Sequence, residues 1–176
     1  MIVEQPFQSM LDEASLRLPD TLVRSIGQLM IEKNLTISIA ESLTGGMISK
    51  QLSDLPGSSQ FFIGGVVCYH PRLKVQLCRV NAATIREHGI VSEAVALEMA
   101  VGIQQVAGSD ISISTTGYAG PSAPELETGK VYIGFAIKQQ QRVKFFRFDG
   151  NRDTVRIQTT MSALGYLKQY LLNLDS

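Results

Sequence analysis

The sequence predicts an α/β fold, a three-layer α/β/α sandwich on a mixed, mostly parallel sheet. Up to residue 116, short runs rich in apolar and β-branched residues alternate with helical patterns. That order suits parallel strands joined by crossover helices. After residue 116, two strand patterns follow one another across residues 138–142, close enough to pair antiparallel, before a last helical pattern. No repeat, low-complexity stretch or linker divides the 176 residues, so residues 19–176 are expected to form one domain. Residues 1–18 show weak periodicity and are expected to be an N-terminal arm or a short helix.

Asp20 or Thr21 can cap a first helix, in which Leu22, Ile26, Leu29 and Met30 recur at helical spacing until Asn34. Residues 36–40 are rich in β-branched side chains and predict a strand. A helix over 45–53 should turn Met47, Ile48 and Leu52 inward, and the Leu-Pro-Gly-Ser-Ser of residues 55–59 is turn chemistry. Residues 61–69 suit a buried strand, with Gly64 and Gly65 marking a bulge or a close backbone approach. Pro71 fits the first turn of a short helix through Lys74 and Leu77, and a further turn or helix over 83–88 stops at Gly89. Ser92 caps a longer helix in which Val95, Leu97, Met99, Val101, Ile103 and Val106 supply more than one apolar face, and which Gly108 ends. Strands follow over 110–116, 131–137 and 143–148, and Asn151 caps a final helix to about residue 172.

Composition removes several function classes. Lys+Arg and Asp+Glu both number 16, and no basic stripe interleaved with aromatics appears, so no direct nucleic-acid partner is expected. Cys68, Cys78, His70 and His88 match no metal-ligand spacing; no metal and no cofactor is expected, and the cysteines read as buried reduced thiols. No apolar stretch approaches a membrane span and no signal pattern opens the chain, which predicts a cytoplasmic protein without a membrane partner.

The chemistry concentrates where strands stop. Glu41-Ser42, Tyr69 and Thr116-Gly117 each end a strand pattern; parallel strands would bring all three to one edge, where open α/β sheets bind ligands. Ser42, followed by Gly45 and Gly46 at a helix start, suits either a helix N-cap or a nucleophile, with backbone N–H groups near the glycines to receive an oxyanion. Lys74, five residues beyond Tyr69, can fold back over the same edge. In a dry setting, such as the space beneath Val67 and Leu73, its lowered pKa would let the amine act as base toward the serine. Tyr69 would orient the pair or relay a proton. Each residue also has an ordinary use, a solvated surface lysine or a packed ring.

These residues carry a family likeness. Ala40-Glu41-Ser42-Leu43-Thr44-Gly45-Gly46, the Leu55-Pro56-Gly57-Ser58-Ser59 turn and Gly64-Gly65-Val66-Val67-Cys68-Tyr69 resemble the opening blocks of the CinA C-terminal domain family. His88-Gly89-Ile90-Val91-Ser92, Thr116-Gly117-Tyr118-Ala119-Gly120-Pro121 and Gly150-Asn151-Arg152 resemble its later ones. The resemblance implies a five-stranded mixed sheet, a homo-oligomer and a small-molecule nucleotide substrate. The activity it implies is amide hydrolysis, converting nicotinamide mononucleotide to nicotinic acid mononucleotide and ammonia, with Ser42 as nucleophile, Lys74 as base, Tyr69 as helper and no metal. Thr44, Gly45, Gly46, Thr116, Gly117, Ala119 and Gly120 would then bind substrate, and Arg152 at a helix N-terminus would suit the 5′-phosphate.

Three segments depart from the family pattern. His70-Pro71-Arg72-Leu73-Lys74 replaces Ser-Asn-x-x-Lys, Tyr118 replaces a smaller aliphatic residue, and residues 122–129 replace a longer glycine-rich loop. They motivate an alternative reading: a nucleotide-binding or regulatory protein with the same fold and no turnover. A role in competence or DNA repair is suggested by the family's name alone.

Overall fold

The computed structural model describes residues 20–121 and 127–174; the proposed arm at 1–18 lies outside the described residues. Five strands form one sheet: β1 (Ile37–Glu41), β2 (Phe62–Val67), β3 (Ile111–Gly117), β4 (Lys130–Ile137) and β5 (Gln140–Arg147), in the order β2-β1-β3-β4-β5. β1 runs parallel to both β2 and β3, while β4 pairs antiparallel with β3 and with β5. The mixed sheet read from the sequence is therefore the sheet observed. Among the described residues six α-helices surround it: α1 (Asp20–Glu32), α2 (Met47–Ser53), α3 (Pro71–Cys78), α4 (Ala82–His88), α5 (Glu93–Ala107) and α6 (Arg152–Leu172).

Alternation along the strands sorts the two faces. Ile37, Ile39, Ile111, Ile113, Ile133 and Phe135 enter the larger core with Ile26 and Met30 of α1 and Leu164 and Leu167 of α6. Between these isoleucines stand serines, which meet α5 on the opposite face. Ser114, Ser112 and Ser38 donate to the carbonyls of Ala96, Ala100 and Ile103 at 2.5, 2.6 and 3.4 Å. Buried hydroxyls paired in this way cost little, and α5 can lie close because the residues beneath it are small.

The predicted glycine pair does two jobs. The β1–β2 register slips between Ile37 and Ser38, and Gly64 takes φ +155°. At Gly65, an added Cβ would sit 2.1 Å from Ser49 Oγ, so α2 approaches the strand closely.

Some boundaries differ. β2 stops at Val67, leaving Tyr69 in the link to α3. The β4–β5 connection is two residues rather than five, with Lys138 at φ +53°. The His70 ring caps α3 by accepting from the Arg72 amide at 3.2 Å, ahead of Pro71, so the helix begins without the family's Ser-Asn pair.

α5 also presses on α3. A Cβ at Gly102 would lie 1.7 Å from the Cys78 carbonyl oxygen, a backbone atom that cannot move alone. Gly102→Ala is therefore expected to destabilise by about 1–3 kcal/mol despite alanine's better helix propensity. A thermal melt should show a fall of roughly 3–10 °C; an unchanged midpoint would mean that the two helices separate freely.

Candidate active site

Parallel pairing brings the carboxyl ends of β1, β2 and β3 to one edge. A cleft of about 170 Å³ opens there, walled by Ser42, Leu43, Tyr69, Thr116 and Gly117, with Ile90, Val91, Tyr118, Ala119 and Arg152 completing it. Six of the sequence-predicted positions thus share one cavity: Ser42, Tyr69, Thr116, Gly117, Ala119 and Arg152.

Ser42 follows β1 directly, and its amide donates to the Thr115 carbonyl at 3.1 Å, which fixes it against β3. Ser42 is nearly buried and lines the cleft. Tyr69 is largely exposed at the rim. Its hydroxyl accepts from Arg152 at 2.8 Å, and a second Arg152 nitrogen donates to the Gly120 carbonyl at 2.8 Å. Arg152 therefore ties the loop after β3 to the link after β2.

Lys74 is fully buried. Its Nζ donates to Thr116 Oγ1 and to Met99 Sδ, both at 3.3 Å. Burial pushes its pKa below the ordinary lysine range, against a smaller opposing pull from the Cys68 and Cys78 sulfurs. Of the two residues expected to cover this dry setting, Val67 is exposed, whereas Leu73 packs against the buried cluster of Met99, Cys68 and Cys78 that supplies it. The thiols lie 3.6 Å apart. The Cys78 S–H donates to Cys68, lowering the pKa of Cys68 and raising that of Cys78.

The glycines after Ser42 serve another purpose. The Gly45 amide donates to the Ser42 carbonyl at 3.2 Å. The Gly46 amide donates to Glu41 at 2.9 Å. Neither is free to receive an oxyanion. Thr44 is buried, with its hydroxyl 2.9 Å from that of Thr115. Among the described residues, the amides of this turn left without an acceptor are those of Leu43 and Thr44.

Glu41 and Arg156 hold the turn, and sequence reasoning assigned neither a role. The fully buried Glu41 carboxylate accepts from the amides of Gly46, Ile48 and Ser49 and from Ser49 Oγ, at 2.7–3.1 Å. It is the N-terminal cap of α2, delivered from the end of β1. Arg156 donates to the carbonyls of Leu43 and Thr44 at 3.0 and 3.1 Å. Ile90 sits in the noted His88–Ser92 block, and its carbonyl accepts the Thr116 hydroxyl at 3.0 Å. Among the described residues no group of three or more His, Cys, Asp or Glu could hold a metal ion, and no helix is long and apolar enough to cross a membrane.

Fold and cleft define an α/β protein with a near-buried serine and a buried lysine at the carboxyl ends of parallel strands. The chain belongs to the CinA C-terminal domain family, whose model matches residues 19–171. A CinA-like protein of Dictyoglomus thermophilum is 40% identical over 181 residues, covering 97% of this chain and 44% of that protein. One from Citrifermentans bemidjiense is 44% identical over 146 residues, covering 82% and 35%. The chain thus spans less than half the length of these relatives. Among solved structures, a CinA superfamily protein of Klebsiella pneumoniae matches with a TM-score of 0.84 at 31% identity, covering 88% of this chain and 98% of that one. A CinA superfamily protein of Escherichia coli matches with a TM-score of 0.83 at 29% identity, covering 98% and 95%.

Proposed function

We propose that the protein is an amidohydrolase that deamidates nicotinamide mononucleotide through Ser42 and Lys74. The observation that carries the reading is the buried Lys74 amine, which is hydrogen-bonded to Thr116, a wall residue of the cleft that also holds Ser42. An uncharged amine takes the serine proton, and the alkoxide attacks the carboxamide carbon. Carbonyl electrons move to oxygen, where the amide of Leu43, a wall residue of the cleft, is the donor at hand. The lysine ammonium then protonates the amide nitrogen, the C–N bond breaks and ammonia leaves. Water hydrolyses the resulting ester, releasing the acid and restoring Ser42. Arg152 would turn toward the 5′-phosphate.

The choice of substrate rests on family membership, and the assay tests it directly. Incubation with nicotinamide mononucleotide is expected to release ammonia and nicotinic acid mononucleotide, equally with and without a chelator. Thermal stabilisation by the nucleotide with no ammonia released would instead identify a binding protein, the reading motivated by the departures from the family pattern at residues 70–72 and 118–128. Neither stabilisation nor product would remove this substrate.

A further inference from the structure

We propose that Met99 is a positioning residue for Lys74, its thioether and the Thr116 hydroxyl together receiving the two N–H bonds of an uncharged amine. The inference rests on Lys74 as the base and adds what sets its state. Nζ lies 3.3 Å from Met99 Sδ and 3.3 Å from Thr116 Oγ1. The Thr116 hydroxyl hydrogen goes to the Ile90 carbonyl at 3.0 Å, so toward Lys74 this oxygen only accepts. A neutral amine has two N–H bonds and both are placed; an ammonium has three, and one acceptor here is a weak one. The lone pair of the neutral form is left for a proton.

Apart from the Cys68 and Cys78 sulfurs, whose pull opposes the effect of burial on Lys74, the surroundings supply no better partner for a charge. Cys68 approaches from the end of β2 and Cys78 from α3 itself, and both are thiols within the same buried cluster. The Glu41 carboxylate of β1 is occupied by the amides of α2. Among the described residues no carboxylate forms an ion pair with Lys74. Met99 is itself fully buried on α5, between Ala96 and Ala100, whose carbonyls accept from Ser114 and Ser112. Its sulfur is therefore fixed relative to the sheet.

The thioether occupies a middle position among possible acceptors, so two substitutions should act in opposite directions. In Met99→Gln an amide oxygen accepts more strongly and favours the ammonium. In Met99→Leu, of similar size, nothing accepts, and the ammonium loses more than the amine does. The test is a 13C titration of lysine-labelled protein, with the Lys74 Cε signal assigned by its loss in Lys74→Met. Lys74 is expected to titrate at higher pH in Met99→Gln and at lower pH in Met99→Leu. The acid limb of ammonia release should move likewise, each unit being tenfold in available base below the midpoint. Titrations that coincide with wild type, or move the same way in both variants, would overturn the proposal, and either variant alone suffices if the other does not fold. The titration reads Lys74 whether or not the protein turns over nicotinamide mononucleotide. Opposite shifts with no ammonia would sink the deamidase reading and keep this one.

Discussion

Lys74→Met is expected to cut ammonia release from nicotinamide mononucleotide by about 10²–10⁴-fold while leaving the fold at least as stable as before. The two halves of this expectation have one cause. Lys74 is fully buried, with a thioether and a hydroxyl as its partners. Removing the amine from so apolar a place would relieve the protein and, on the proposed mechanism, disable the reaction. The sign of the pH dependence follows. Burial lowers the pKa of Lys74 in the folded state, so over the interval between the folded and unfolded values the unfolded chain binds more protons. The lysine's contribution to stability therefore rises with pH across that interval and is flat below it. Turnover should climb with pH through the folded-state value, below the ordinary lysine range. Ser42→Ala should cost about 10⁴-fold or more, and combining it with Lys74→Met should cost little beyond the larger single loss, since the two act as a unit. Rates of ammonia release and thermal melts from pH 5 to 10 check all of this. A Lys74→Met protein that retains full activity would end the proposed chemistry.

Glu41→Ala is expected to produce the largest loss of stability, about 2–4 kcal/mol or roughly 5–15 °C in the melt. The carboxylate is fully buried and takes four hydrogen bonds, three of them from backbone amides at the start of α2. Alanine leaves those donors without an acceptor and the start of the helix uncapped. Glu41→Gln should fall between wild type and alanine, because one amide oxygen remains while the NH2 faces amides that also donate. Denaturant unfolding of the three proteins provides the ranking. Equal stability of Glu41→Ala and wild type would mean that α2 is held from elsewhere.

The sheet was legible because its cues are local. Apolar runs that stop at Glu41, at Tyr69 and at Thr116 mark strand ends within a few residues, and alternation with helices made those ends parallel. Ser42, Tyr69 and Thr116 followed directly. The depth of Lys74 was not legible. Its spacing from Tyr69 gave a direction, but what covers it is Met99, 25 positions further on, brought close by α5 packing against α3 at Gly102. Glu41 escaped for a similar reason. Helix caps are sought at the residue just before the helix, which here is Gly46; the acid that serves α2 lies five positions earlier, across a tight turn. The same carboxylate claims the Gly46 amide, so among the described residues the amides near the two glycines that are left without an acceptor are those of Leu43 and Thr44.

The serines beneath α5 have a mechanical meaning. Their acceptors, Ala96, Ala100 and Ile103, lie three or four residues apart, one helical turn each. A helix resting on smooth hydrocarbon can roll or slip by fractions of an ångström, whereas three pegs in successive notches index it to a single setting. Whatever α5 carries inherits that indexing, much as a key's teeth inherit the cut of its blade.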